Sequence, residues 1–181
     1  MDGEVDVLVV TPLGSISVRV FLARVPVTGG AFLACVDEKQ FASAAFYRTV
    51  RPDNDCNPHP IQVVQGGVID LSDSKGLAHE PTNLTGLRHA DGAVSAARRE
   101  LGTGTAASFF VCIGAQPALD FGGARHSDGQ GYAVFGCVTR GMDVVRRIHA
   151  LPTAANAPHP LLAGQMLAAR VPFLSVARVA E

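Results

Sequence analysis

Short apolar runs rich in β-branched residues recur along the chain, and helical spacing separates them at only two places. Ser15-Ile16-Ser17-Val18-Arg19-Val20 alternates strictly and places Ile16, Val18 and Val20 on one face, the period of a half-buried strand. An apolar run over residues 5–10 precedes it. Thr11-Pro12-Leu13-Gly14 between the two is turn chemistry, so the N-terminus predicts a β-hairpin. Further strands are predicted at residues 46–48, 61–65 (with a tail over 68–71), 93–97, 109–113, 133–138 and 169–179. Helical spacing occurs twice. Phe32, Cys35 and Val36 make a stripe within residues 28–41, behind Pro26, although Gly29 and Gly30 weaken it. Met142, Val145 and Ile148 share a face over residues 142–149. Residues 72–92, 98–107, 114–131 and 151–164 read as loops, with a short extended piece at 80–82. The lack of βαβ alternation argues against an α/β fold and for an antiparallel barrel or sandwich.

A chain of 181 residues with 48% hydrophobic and 17% charged content fits one globular domain, residues 1–181. The formal net charge is −1 and no basic run stands out, so the electrostatic footprint of a nucleic-acid or anionic-membrane binder is missing. The longest apolar stretch, residues 161–180, is broken by Gln165, Arg170, Pro172 and Arg178. The opening MDGEVDV carries acids where a signal peptide carries bases. The expectation is a cytoplasmic protein, or a periplasmic one whose leader is missing from this sequence. Cys35, Cys112 and Cys137 lie in apolar contexts and read as buried, whereas Cys56 reads as exposed. No CxxC pair occurs, so no disulfide framework is expected.

Residues 46–67, FYRTVRPDNDCNPHPIQVVQGG, put one cation, Arg48, and one amide, Gln65, on two strands around a polar loop. Taken alone, Arg48 reads as a surface ion-pair partner and Gln65 as a strand-edge side chain. Asp53, Asp55, Cys56 and His59 share the loop at a spacing that matches no established metal pattern. His126-Ser127-Asp128 are adjacent in sequence and cannot form a triad by themselves. Gly122-Gly123 and Gly129-Gln130-Gly131 are not strand–loop–helix phosphate motifs and read as turns.

The chain resembles the cyclophilin-type peptidyl-prolyl isomerases. The resemblance rests on Phe46-Tyr47-Arg48, Gln65-Gly66-Gly67, Gly92-Ala93-Val94-Ser95-Ala96-Ala97-Arg98, Ser108-Phe109-Phe110, Leu119-Asp120 and Tyr132-Ala133-Val134-Phe135-Gly136, in family order over nearly the whole chain. It looks closest to the bacterial members in loop length. It implies a mainly β fold, a closed eight-stranded antiparallel barrel capped by two short helices. It implies Arg48 as the catalytic arginine, Gln65 as a binder of the substrate backbone and Phe110 as the floor of a proline pocket. Leu119 would be its wall, Ala97 a backbone partner for the peptide, and Tyr132 and Val63 further substrate contacts. No cofactor or metal is implied. The partners would be proline-containing segments of unfolded or flexible proteins, met by a monomer. Gln62 and Val63, Ser108 and Ala118 depart from the family's Phe-Met pair, glutamine and rim aromatic, so a shallower and more polar pocket is expected. Two functions follow: a folding catalyst that rotates X–Pro bonds, or a peptide-binding chaperone module on the same fold with little turnover.

Overall fold

The computed structural model describes residues 3–69, 75–155 and 162–179. The hairpin forms as β1 (Glu4–Thr11) and β2 (Gly14–Phe21), with Val7 opposite Val18 and Val9 opposite Ile16. Helix α1 (Pro26–Asp37) follows, then β3 (Ala45–Val50), β4 (Val63–Gly67), the one-turn helix α2 (Thr82–Thr85), β5 (Ala93–Ala97) and β6 (Thr105–Cys112). The chain continues through β7 (Ala133–Arg140), α3 (Met142–His149), β8 (Met166–Pro172) and β9 (Ser175–Arg178). The nine strands among the described residues belong to one antiparallel sheet in the order β8-β3-β4-β6-β5-β7-β2-β1-β9. No helix among the described residues is long and apolar enough to cross a membrane.

The two edges of that sheet are consecutive in the chain. Only Phe173 and Leu174 separate β8 from β9. The Phe173 N–H donates to Ala44 O (2.9 Å) and the Leu174 N–H to Val10 O (2.8 Å), so these two residues step from one edge to the other and curl the sheet closed. This accounts for nine strands where the resemblance implied eight. The last strand, expected as one piece over 169–179, is interrupted at that step.

Other boundaries also moved. The first helix ends at Asp37, and Lys39 sits at φ 56 ahead of a 3₁₀ turn over Gln40–Ser43, so the expected run to Phe41 is cut by a left-handed residue. A third helix, α2, occupies Thr82–Thr85, part of what read as loop, and Thr82 is helical instead of extended. Strand β6 begins at Thr105 inside the predicted loop over 98–107, because Thr105 to Ser108 pair and pack as a buried strand despite their small size. Strand β4 stops at Gly67; the expected tail at Val68 and Ile69 is not strand, and 70–71 lie outside the described residues.

Helix α1 buries Phe32, Leu33, Cys35 and Val36. Gly29 lies against β2, where a Cβ would stand 3.1 Å from Val20 Cγ1, so the glycine that weakens the helix permits its packing. The helix has no local side-chain cap. Glu80, 52 residues from Thr28, instead accepts the Val27 N–H (3.1 Å) and Thr28 N–H (2.7 Å), placing a carboxylate at the positive end of the helix. Phe32, Phe41, Phe46, Phe109 and Phe173 pack edge-to-face and tilted, with centroids 4.8–6.3 Å apart. Truncating one such ring typically costs about 3–5 kcal/mol.

The site is set by register. Phe46 pairs with Gly66, and Gly66 with Phe109; a Cβ on Gly66 would stand 2.6 Å from Phe46 Cδ1, so the two rings meet over a glycine. One row further on, Arg48 pairs with Gln65, Gln65 with Phe110, and Phe110 with Ser95. Residues two apart on a regular strand share a face, which would put Arg48 beside Phe46 in the core. The register shifts between Phe46 and Arg48, with Tyr47 as the extra residue. That bulge turns Arg48 to the other face of the sheet, in line with Gln65 and Phe110.

Candidate active site

Arg48, Val63, Gln65, Ala97, Phe110, Leu119 and Tyr132, all singled out from sequence, line one cavity of about 100 Å³. Ile61, Arg98 and Arg125 complete its wall. Phe110 is buried, as adjacent strand residues require: Phe109 faces the aromatic core and Phe110 faces the cavity. Tyr132 meets the Phe110 ring edge-on, with centroids 5.5 Å apart at 84°. Val63 and Leu119 are buried apolar walls, and Ile61 adds a third. A 3₁₀ turn over Pro117–Leu119 delivers Leu119.

The Arg48 guanidinium is fixed by two amide carbonyls. Its Nη1 donates to Gln65 Oε1 (2.8 Å), and its Nε and Nη2 donate to Gln165 Oε1 (3.0 and 2.7 Å). No carboxylate bonds it among the described residues, so the ion-pair reading does not hold. Burial, and then the charge of Arg125, push its pKa below the ordinary arginine value, yet a guanidinium keeps its proton. Of its five N–H bonds, one on each terminal nitrogen has no partner among the described residues and is left for a ligand. Gln65 is itself oriented: its amide nitrogen donates to Ser108 Oγ (3.3 Å), which also hydrogen-bonds the Tyr47 hydroxyl (3.0 Å).

Gln165 was not singled out from sequence. It is 4% exposed, it lies 117 residues from Arg48, and nothing in its spacing marks it. Its side-chain amide nitrogen donates to Asn54 O (2.9 Å) and its backbone carbonyl accepts the Thr49 N–H (2.9 Å). Loop 51–62 is thereby tied to the arginine. Asn54 adds donations to Thr49 O (3.2 Å) and Gly164 O (2.9 Å), and Asp55 accepts the N–H groups of Asn57 (3.2 Å) and Ile61 (3.0 Å).

The other two arginines are paired with acids. Arg98 makes a two-pronged contact with Asp128 (2.8 and 2.9 Å), donates to Gly131 O (2.8 Å) and lies over the Tyr132 ring at 5.1 Å. Hydrogen bonding to Arg98 holds the Asp128 carboxyl well below the usual range. Arg125 Nη1 donates to Asp55 Oδ2 (2.7 Å) and His59 O (3.0 Å), bridging the two loops that flank the cavity. Asp55 and His59 therefore hold the loop together, and Asp53 pairs with Arg51 (3.1 Å). His126 contacts Asp128 (3.1 Å) beside it, without a serine partner among the described residues.

Behind Phe110 runs a buried polar chain. His89 lies parallel to the Phe110 ring, with centroids 6.0 Å apart at 14°. Its Nδ1 is 2.8 Å from Asp120 Oδ1 and its Nε2 is 3.0 Å from Ser95 Oγ. Burial holds the imidazole below its ordinary pKa, and Asp120 only partly opposes this. Burial alone would raise the Asp120 carboxyl, but the His89 imidazole and backbone N–H, with Arg88, outweigh it and hold it low. The pair is thus a neutral imidazole and a carboxylate, with Nδ1–H donating to Asp120 and the serine hydroxyl donating to Nε2. The His89 and Ser95 side chains are enclosed and Asp120 faces outward only towards Arg88, and no atom of the three lines the cavity, so this serine–histidine–aspartate chain braces the pocket from behind.

The cavity thus joins an apolar cup to a rigid guanidinium with free donors and an amide beside it, an arrangement suited to holding a cyclic apolar side chain next to a polar backbone. A profile of the family described as "Cyclophilin type peptidyl-prolyl cis-trans isomerase/CLD" matches residues 5–170. The chain belongs to the cyclophilin-type peptidyl-prolyl cis-trans isomerase family. It is 30% identical over 154 residues to a peptidyl-prolyl cis-trans isomerase of Streptomyces antibioticus, covering 82% of this chain and 86% of that one. It is 27% identical over 149 residues to peptidyl-prolyl cis-trans isomerase B of Escherichia coli, covering 81% and 85%. A Cryptosporidium parvum cyclophilin-type isomerase, crystallised in the presence of the dipeptide Ala-Pro, superposes with a TM-score of 0.71 over 97% of this chain and 99% of that one, at 14% identity.

Proposed function

We propose that this protein accelerates rotation about X–Pro peptide bonds in flexible protein segments, with Arg48 as the catalytic residue. The observation that carries the assignment of Arg48 is a largely buried guanidinium held by Gln65 and Gln165 with no acid partner among the described residues and two N–H bonds still available.

The barrier to rotation is ~18–20 kcal/mol, because resonance gives the amide C–N partial double-bond character. Twisting breaks that resonance and returns a lone pair to the proline nitrogen. A fixed N–H donor aimed at this nitrogen binds the twisted amide better than the planar one, and only such differential binding raises the rate. Phe110, Val63 and Leu119 hold the proline ring by apolar contact, and Tyr132 closes one side. Gln65 retains an N–H for the carbonyl side of the bond, and Ala97 offers backbone at the rim. No bond is made to the protein and no proton leaves it, so the chemistry asks for geometry and charge alone.

A peptide-binding module without turnover gives no reason for this arginine. Burying a charge without a counter-charge is costly, and a neutral donor would serve a binder as well. A protease-coupled isomerisation assay on a short X–Pro peptide tests the reading. The protein should accelerate the reaction, and Arg48→Ala should lower kcat/KM by about 10²–10³. Folded wild type with no acceleration would leave the binding module as the better account. Full activity in Arg48→Ala would keep the family and remove the arginine from the mechanism.

A further inference from the structure

We propose that the site favours X–Pro segments carrying a carboxylate beside the proline, and that Arg125 is the residue that reads it. The inference rests on the isomerase reading and adds a client preference to it. Among the described residues, three arginines and no acidic residue line the cavity, in a chain whose formal net charge is −1. The positive lining is therefore local and not a reflection of a basic protein.

The three cations are not equally available. Arg48 is committed to the amide. Arg98 has its Nε on Gly131 O and both terminal nitrogens on the two Asp128 oxygens, with its plane over Tyr132. Arg125 differs. Only Nη1 is engaged among the described residues, on Asp55 and His59, which leaves the edge formed by Nε and Nη2 open for a fork-like contact with a carboxylate. Asp55 offsets part of this charge and is itself felt at Arg48, but it bonds only Nη1, and its two oxygens also take the Asn57 and Ile61 N–H groups of its own loop. The charge of Arg125 is felt inside: burial first, and then Arg125, lower the Arg48 pKa, and Arg125 acts with Arg98 and Arg48 against the rise that burial imposes on the Tyr132 phenol. An incoming carboxylate would relieve that crowding of like charge.

The test uses Ala-Xaa-Pro-Yaa peptides with Glu, Gln or Lys at Xaa or at Yaa. Exchange between cis and trans is followed by NMR, which needs no coupling protease with a charge preference of its own. At low salt, kcat/KM should favour Glu over Lys by about tenfold at one of the two positions, and the ratio should shrink towards one in about 0.5 M salt. Arg125→Gln, which keeps a donor for Asp55 and His59, should collapse the ratio. Asp55→Asn, which removes the facing charge, should widen it, and it serves as the second variant if loop 51–62 does not tolerate the first. A Glu-over-Lys ratio below about twofold at both positions, or one that survives both Arg125→Gln and high salt, overturns the proposal. Acceleration of the Gln peptides reports separately on the isomerase reading: if they are accelerated without charge preference, that reading stands and this inference falls.

Discussion

Arg48 and Arg98 stand in the same cavity wall, and the protein treats them in opposite ways. Arg98 meets a carboxylate with both prongs of its fork, stacks on Tyr132 and has its charge balanced by Asp128. Arg48 is gripped as firmly, through three hydrogen bonds of 2.7–3.0 Å, but its partners are the neutral carbonyls of Gln65 and Gln165. Both arrangements fix a guanidinium in place. Only the second leaves its positive charge and two of its N–H bonds for a ligand. An amide carbonyl supplies a dipole that orients without neutralising, whereas a carboxylate would compete with the amide nitrogen of a twisting X–Pro bond. The contrast separates an arginine that builds the pocket from one that works in it.

After outright loss of Arg48, the largest expected effect comes from keeping its charge while losing its fork. Arg48→Lys cannot satisfy two amide carbonyls and still present fixed donors, and kcat/KM in the isomerisation assay should fall by about a hundredfold. A variant with more than half the wild-type rate would mean that charge alone suffices. The matching change at the paired arginine should act on stability instead. Asp128→Asn should lower unfolding free energy in urea by about 1 kcal/mol and leave kcat for an uncharged peptide within about twofold, since a partly exposed ion pair contributes little. A large loss of turnover there would erase the distinction between the two arginines.

The smallest effect concerns the brace behind Phe110. His89 is held below its ordinary pKa, so it is neutral in the folded protein, whereas in the unfolded chain it takes a proton near pH 6.5. The unfolded state then binds more protons as pH falls through that value, so stability is complete above about pH 6.5 and declines below it. Asp120, also held low, adds its own loss at more acidic pH. Tm should therefore be lower at about pH 5.5 than at about pH 7.5, and His89→Asn should shrink that difference. A pH-independent Tm in the wild type, or an unchanged slope in the variant, would remove His89 from this account.

Much of the pocket was legible from sequence because its members sit at fixed offsets within strands. Phe109 and Phe110 had to face opposite sides, and Gln65 had to sit at a strand end beside glycines. The parts that were not legible depend on contacts across long separations. The bulge at Tyr47 arises from how β3 pairs with β4 and β8, and without it the two-residue period puts Arg48 in the core. Gln165 reaches Arg48 from the far end of the chain, and Arg125 reaches Asp55 from a loop 70 residues away. Glu80 caps a helix that local sequence leaves uncapped. Gly102 and Gly104 beside Thr105 mark a loop by local chemistry, although the β-branched side chain of Thr105 is a usable signal for an earlier start to β6. The break at Phe173-Leu174 belongs to closure of the sheet, which no local pattern encodes.

The most direct measurement is the kcat of Gln165→Glu beside wild type, with thermal unfolding of both. This substitution changes an amide to a carboxylate and gives Arg48 the same kind of partner that Arg98 and Arg125 have. If a neutral clamp is what leaves the arginine free to act, kcat should fall by about tenfold or more while KM moves by less than about threefold; the new ion pair is offset by loss of the Gln165 amide donation to Asn54 O, so Tm should fall by no more than a few degrees and the variant should remain folded at the assay temperature. A stable variant with wild-type kcat would contradict the claim, because the charge of Arg48 would then be dispensable and its neutral partners incidental.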